Sequence, residues 1–313
     1  MLDVRRLRLL RELAHRGTIA AVAQAMAFTP SAVSQQLGVL EREAGVPLLE
    51  RTGRRVTLTP AGLSLVGHAE VVLDRLEQAA AELARSRQGL AGAVRIGTFA
   101  TAGRTMLPAA LLTLAGRHPG LEPMVLEIDP AGVAGALRAG ELDVALVHDY
   151  DFAPDPAHRG LATVALCTEA MYLAARGERP DAPAERGEGV DASAISACRE
   201  TPWIVATDGT LCGRMTVRAC AAAGFTPRTR HRIDDFPTML ALVAAGQGVA
   251  LVPELALTGL PAGIILTRTP LHRRTTIACR GGAGRHPAVS AIVDALRSAV
   301  PAGLRTGPAA EPA

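Results

Sequence analysis

Phe28-Thr29-Pro30-Ser31-Ala32-Val33-Ser34-Gln35-Gln36-Leu37 is the stretch that decides how the front of this 313-residue chain folds. Thr29 has the side chain of a helix N-cap, and Pro30 suits the first helical position, where no N–H is needed. From there Val33, Leu37, Leu40 and Ala44 recur at helical spacing and define a buried face. Ser31, Gln35, Gly38 and Arg42 then occupy the opposite face, with Ser34 on its flank. Short hydroxyls and an amide at the N-terminal end of an exposed helix suit entry into a DNA major groove, where they can reach base edges without bulk.

Working outward, Val4, Leu7, Leu10 and Ala14 predict an upstream helix, with Arg5, Arg8 and Arg11 assigned to its other faces and Gly17 ending it. Thr18 caps a short second helix, Ile19 to Ala25. Downstream, Glu50 to Thr59 reads as two short extended pieces around a Gly-Arg turn. That basic hairpin would carry Arg51, Arg54 and Arg55 to phosphates or the minor groove. Arginines in a lone turn are more often simply solvated. Here three helices and a basic hairpin follow in the order of a winged helix-turn-helix, which favours the DNA-reading assignment.

The matching pieces are Gly17-Thr18-Ile19-Ala20-Ala21-Val22-Ala23, Ser31 to Leu37, Leu40-Glu41, Gly45-Val46-Pro47-Leu48-Leu49, Arg51 and Leu58-Thr59-Pro60-Ala61-Gly62. Through them the segment from Leu9 to Gly62 resembles the DNA-binding domain of LysR-type transcriptional regulators. Two departures stand out: Pro30 where many members have Gln, and Leu49 where many have Phe. The first removes one base-contacting side chain from what the resemblance carries over. The DNA-binding set is then Thr29, Pro30, Ser31, Ser34, Gln35, Arg42, Arg51, Arg54 and Arg55.

Charge agrees with a DNA-reading head. Residues 1–62 hold nine arginines against five acids in a chain of net charge +3, so the remainder is slightly acidic. All 33 basic residues are arginine, which excludes a P-loop lysine and a Schiff-base lysine. A composition 49% hydrophobic and 20% charged indicates a globular chain rather than a disordered one. The sequence has no membrane-length apolar run and no secretory leader, giving an expectation of a cytoplasmic protein with no membrane partner. Cys167, Cys198, Cys212, Cys220 and Cys279 form no C-x-x-C pair, so no metal and no cofactor is expected, and reduced thiols are the simplest reading.

Thr59-Pro60 starts another helix, expected to run to Gln88, about 43 Å at about 1.5 Å per residue. Val66, Ala69, Leu73, Leu76, Ala80 and Leu83 form a narrow apolar seam along it. Such a seam suits pairing with a second copy, although packing on its own domain would use the same residues. The resemblance implies a dimer that holds two heads at a fixed separation, commonly assembled further into a tetramer.

Past Gly92 short apolar strands alternate with amphipathic helices. Strands are predicted at Val94–Gly97, Met124–Ile128, Leu142–His148, Met171–Ala174, Trp203–Ala206, His231–Ile233, Val249–Val252 and Thr275–Cys279. Helices are predicted through Met106 to Leu114, and at Val133–Ala139, Gly213–Ala223, Phe236–Ala245 and His286–Val300. The expected fold is α/β: a largely parallel sheet in two lobes, with ligand sites at the strands' C-terminal edges. Arg176 to Ala192 reads as an exposed excursion and 301–313 as a disordered tail. The expected domains are a winged helix-turn-helix at 1–59, a linker and dimerisation helix at 60–88, and a two-lobed effector domain at 93–300. Family resemblance implies a crossing near Leu166 and a return near Pro270, as in periplasmic solute-binding proteins. Lobe 1 would then span roughly 93–165 and 270–300, and lobe 2 roughly 166–269.

An effector is expected between the lobes. Thr98, Ala100 and Thr101 sit where exposed N–H groups and hydroxyls could hold an anion. His148 ends a strand on the same lobe, and Thr207, Asp208, Asp235 and Phe236 form corresponding edges on the other. The ligand class is a small organic acid or an amino acid. Further partners are double-stranded DNA, a second copy or tetramer and, as a candidate, RNA polymerase. An enzyme is disfavoured: no G-x-S-x-G, H-E-x-x-H or P-loop is present, and Gly281, Gly282 and Gly284 read as a connecting turn. A stand-alone solute-binding protein would need no DNA-reading head. A Cys198–Cys212 redox switch is a further alternative.

Overall fold

The computed structural model describes residues 1–52, 55–85, 90–153, 160–179 and 183–306. Its first unit is the predicted head: α1 (Val4–Arg16), α2 (Ile19–Ala25), α3 (Pro30–Ala44), β1 (Leu49–Thr52) and β2 (Arg55–Leu58). The Thr18, Thr29 and Gly17 signals act as the sequence implied, and Gly45 adds a further cap. Thr18 Oγ1 accepts from Ala21 N–H, Thr29 Oγ1 accepts from Ala32 N–H, and Gly17 and Gly45 close α1 and α3 with φ of 73° and 69°. Leu10, Val22, Val33, Leu37, Leu40 and Leu48 form one core. Arg11 departs from expectation: it is buried, because α1 lies between the head core and the rest of the molecule.

Two family-like motifs have plain physical reasons. The Glu41 carboxylate accepts from the Leu48 and Leu49 amides at 2.9 and 3.0 Å, tying α3 to the hairpin. Thr59 donates to the Pro47 carbonyl at 2.9 Å and caps the next helix at Gly62 N–H. A Cβ on Gly62 would stand 2.2 Å from the Leu48 carbonyl oxygen, so only glycine fits there. β1 and β2 pair antiparallel from Leu49↔Leu58 to Thr52↔Arg55, giving a hairpin. Gly53, Arg54 and the side chains of Arg51 and Arg55 lie outside the described residues.

α4 (Pro60–Arg85) follows, and the expected continuation to Gln88 lies outside the described residues. Its apolar seam divides between two uses. Val66, Ala69 and Leu73 are buried within the protomer, whereas Leu76 and Leu83 are 50% and 72% exposed. Val72, Leu76 and Leu83 form an exposed apolar stripe on the outward side.

The body runs β3 (Gly92–Thr98), α5 (Ala100–Thr105), α6 (Leu107–Arg117), β4 (Leu121–Glu127), α7 (Pro130–Ala139), β5 (Val144–Tyr150), β6 (Leu161–Arg176), β7 (Glu185–Val190), α8 (Ala194–Ala197), β8 (Pro202–Val205), α9 (Leu211–Ala222), β9 (Arg228–Arg232), α10 (Phe236–Ala244), β10 (Ala250–Pro253), β11 (Ile264–Arg280), α11 (Pro287–Ser298) and β12 (Arg305–Thr306). The main sheet has the order β10-β6-β11-β5-β3-β4. One lobe packs α6 and α11 on one face through Ile96, Leu114 and Ile292, and α7 on the other through Val133, Leu137 and Val147. The other lobe is built around Trp203, Met215 and Leu251 on one side and Ile204, Leu240 and Val252 on the other.

Five expectations are corrected or refined. The sheet is mixed rather than largely parallel: β3 pairs parallel with β4 and β5, but β11 pairs antiparallel with both β5 and β6. β6 and β11, 16 and 17 residues long, run through both lobes, and their short apolar runs at Met171–Ala174 and Thr275–Cys279 disclosed only parts of them. The helix expected through Met106 is broken there, since Pro108 lacks the N–H that would reach the Arg104 carbonyl. The Arg176–Ala192 excursion contains β7, paired parallel with β11. Of the supposedly disordered tail, Arg305 and Thr306 pair with β6, and 307–313 lie outside the described residues. Among the described residues no helix is long and apolar enough to cross a membrane.

Candidate functional site

The DNA-reading face is the outer side of α3. Ser31, Gln35 and Arg42 are exposed along it, Ser34 is half-buried on its flank, and Gly38 lies between them. Thr29 and Pro30 are exposed at the helix start, where the Thr29 hydroxyl is 3.0 Å from that of Ser31. Gln36 faces the other way, accepting from Arg6 Nε at 2.9 Å, which separates it from the reading side. The same edge carries Phe28, half exposed, which the periodicity of the helix did not single out because it precedes the cap. Arg54 and the side chains of Arg51 and Arg55 cannot be added to this geometry, being outside the described residues.

The second site is a cavity of about 410 Å³ between the lobes, within the usual range for small-ligand pockets. The first lobe contributes Phe99, Thr101 and Arg104 from the end of β3 and from α5, Glu127, Asp129 and Pro130 from the end of β4 and the start of α7, and His148 and Tyr150 from β5. The second contributes Thr210–Cys212 at the start of α9 and Asp234–Pro237 at the start of α10. These are strand C-terminal edges and helix N-termini, as fold logic requires. Across the mouth Arg104 and Asp235 approach to 3.8 Å, joining the two lobes.

Of the expected effector residues, Ala100, Thr101, His148, Asp235 and Phe236 line this cavity. Thr98, Thr207 and Asp208 do not. Thr98 is buried beside its own loop, with its hydroxyl 3.3 Å from the Phe99 carbonyl. Thr207 donates to Asp234 through its N–H and hydroxyl at 2.8 and 2.7 Å, and Asp208 accepts from Arg232 at 2.6 Å.

Arg273 is the residue that sequence reasoning missed. Its guanidinium is sealed at the cavity floor, with Nε donating to Glu169 at 2.7 Å and Nη2 to the Thr101 hydroxyl at 2.9 Å. It also stands 5.0 Å from the Phe99 ring centroid, a cation–π distance. Burial opposes its charge, yet the Glu169 carboxylate raises its pKa above the ordinary value. His148 is stacked edge-on between Phe99 and Tyr150, with centroids 4.5 and 5.2 Å away. Burial pushes the Tyr150 phenol well above its usual value. The short apolar run starts the predicted strand at Thr275 and gives Arg273 no role. The available signal was period two, which places it in phase with buried Leu271, Thr275 and Ile277.

A reading helix, a paired wing, a linking helix and a two-lobed body with an interlobe cavity now stand in one chain. Residues 4–63 match the model of the bacterial regulatory helix-turn-helix protein, lysR family, and residues 87–301 match that of the LysR substrate binding domain. The chain belongs to the LysR family. LysR-type relatives include a Bacillus subtilis regulator, YcgK, 28% identical over 84% of each chain. The hydrogen peroxide-inducible genes activator of Dickeya chrysanthemi is 30% identical, covering 82% of this chain and 80% of its own. A full-length OxyR variant from Pseudomonas aeruginosa shares the fold with a TM-score of 0.60, at 21% identity and 95% coverage of each chain. This LysR-type protein is therefore a DNA-binding transcription regulator with an effector-binding domain. Among its described residues no cluster of potential metal ligands occurs.

Proposed function

We propose that this regulator reads duplex DNA with Ser31, Ser34 and Gln35 in the major groove. Thr29, Pro30 and Arg42 hold the frame, and Arg51, Arg54 and Arg55 of the wing engage phosphates or the minor groove. The exposure of Ser31, Gln35 and Arg42 on one side of α3 supports this assignment. The division into a head at 1–59, a linker helix at 60–88 and an effector domain at 93–300 follows from it. The regulator acts in the cytoplasm, where its DNA is, and is not an enzyme.

The effector is an amino-acid-like zwitterion rather than a plain organic acid. The observation that carries this is the pairing of charges on one cavity: Arg104 and Arg273 with Glu127, Asp129, Asp234 and Asp235. Arg273 is already matched by Glu169, so a ligand bearing only negative charge would face an acidic surplus. A carboxylate directed to Arg104 and the Thr101 hydroxyl, with an amino group toward Glu127 or Asp129, satisfies both signs. Thermal unfolding of the full chain with millimolar amino acids, set against dicarboxylates of equal size, tests it. Stabilisation by amino acids alone supports the reading, and stabilisation by dicarboxylates alone removes it.

Several relatives are described as hydrogen peroxide-inducible activators. Peroxide sensing through cysteine needs an accessible thiolate. In this chain burial pushes Cys167, Cys212 and Cys279 up to about 11 and Cys220 up to about 12, and also raises Cys198. That chemistry favours a ligand over an oxidant, and against a Cys198–Cys212 switch. Equal DNA affinity before and after peroxide treatment is the expected result.

The exposed stripe of Val72, Leu76 and Leu83 supports pairing of α4 with a second copy. A second exposed apolar patch, Met124, Val125 and Leu126 along edge strand β4, supports a further contact and hence a tetramer. RNA polymerase is the protein partner expected of an activator with this layout.

A further inference from the structure

α7 touches both sites. At its N-terminus Asp129 and Pro130 line the interlobe cavity, and the Asp129 carboxylate caps the helix at Ala131 N–H, 2.9 Å. At its C-terminal end three arginines converge on its carbonyl oxygens. Arg16 Nη2 donates to Gly135 at 3.0 Å and Arg11 Nη2 to Arg138 at 2.9 Å, both from the DNA-reading head. Arg280 Nη1 donates to Leu137 at 2.9 Å, and its Nε holds Glu77 of the linker helix at 2.6 Å.

The arrangement is built rather than incidental. Glu12 is fully buried and fixes both head arginines, accepting from Arg11 at 3.1 Å and Arg16 at 2.9 Å. The end of α7 carries the negative pole of the helix, so guanidinium groups are favoured there. A buried carboxylate binding two arginines that themselves reach a neighbouring helix end is costly to separate. With ten residues, α7 spans about 15 Å, the distance between the cavity and the arginine cluster.

We propose that α7 is the link by which occupancy of the cavity sets the angle of the DNA-reading head. The proposal rests on the reading of the cavity as the effector site. A ligand group drawn to Asp129 or seated against Pro130 displaces the helix at one end. The carbonyls at the other end shift with it, and Arg11 and Arg16 carry the shift into α1, on which α3 is packed. Because α1 and α3 share one core, a change at α1 reorients the whole reading face rather than a single side chain.

The test needs no effector, so its failure is separate from failure of the ligand assignment. It is a double-mutant cycle on the full chain, combining Asp129→Ala at the cavity end with Arg11→Ala/Arg16→Ala at the head end. Affinity is read by fluorescence anisotropy on the duplex upstream of the protein's own gene. Hydrogen exchange of the α1 amides is read in parallel and requires no DNA. Asp129→Ala alone should shift the DNA dissociation constant by about fivefold and change exchange along Leu7–Arg16. In the Arg11→Ala/Arg16→Ala background both effects should vanish. An Asp129→Ala effect of the same size in both backgrounds, or no α1 exchange change in either, overturns the link.

Discussion

Glu169 and Arg273 form an ion pair 2.7 Å apart in which neither side chain retains more than 1% of its exposure. The Glu169 carboxylate also accepts from Leu255 N–H at 2.7 Å, so one buried acid joins β11, β6 and the turn after β10 beneath the cavity. Removing one partner leaves the other charge stranded. Glu169→Ala should cost about 3–5 kcal/mol in urea unfolding, whereas the double change Glu169→Leu/Arg273→Met should cost far less. Additive losses in the double variant would mean that the pair is not the unit that matters.

Gly282 meets the linker helix backbone to backbone: a Cβ there would stand 2.2 Å from the Asp74 carbonyl oxygen and 2.7 Å from Glu77 Cβ. Neither atom is the free end of a flexible side chain. Gly282→Ala should therefore destabilise by about 1–3 kcal/mol and loosen α4 from the body, visible as faster exchange around Asp74 and Glu77. A variant with unchanged stability and exchange would show that α4 does not dock there in solution.

Those two relationships mark what the sequence disclosed and what it withheld. Gly17, Thr18 and Thr29-Pro30 announced the head because caps and turns are local chemistry, read from residues adjacent in the chain. The start of α10 at Asp235-Phe236 was legible for the same reason. Arg273, Arg11 and Gly282 were not legible, since their meaning depends on partners over a hundred residues away: Thr101, the Arg138 carbonyl and Asp74. The long strands β6 and β11 were underestimated because Thr and Arg on their half-buried positions break the apolar runs.

Ala27, between α2 and α3, has φ of 54°, a conformation that strains any residue with a Cβ. Ala27→Gly relieves about 1–2 kcal/mol of strain against an unfolded-state cost of about 0.4–1 kcal/mol. Thermal unfolding should show a gain of between about 0 and 1.6 kcal/mol. A clear loss would mean that the turn is held by contacts to the methyl group.

Burial, with Arg138, Arg11 and Arg16 nearby, lowers His15 from the ordinary 6.5 to about 4, against the pull of Glu12. The 3.4 Å contact from His15 to Glu70 therefore joins a neutral imidazole to a carboxylate at pH 7. Between pH 6.5 and 4 the unfolded chain takes up a proton that the folded chain resists, so stability falls on acidification through that window. Asp74, whose pKa burial raises, works in the opposite direction, so the comparison must be with His15→Gln. The melting temperature of His15→Gln should decline less than that of the parent between pH 7 and 5. Parallel curves would contradict a neutral, buried His15.

The most direct measurement is fluorescence anisotropy of the purified chain on the duplex upstream of its gene, with scrambled competitor and varied salt. The account predicts selective binding that weakens steeply as salt rises. Gln35→Ala should cost about 1–3 kcal/mol and blur the preference for that duplex, while Arg42→Ala should weaken all duplexes alike and reduce the salt slope by about 1. Gln35→Ala binding with undiminished selectivity would contradict the assignment of α3's outer side as the surface that reads sequence.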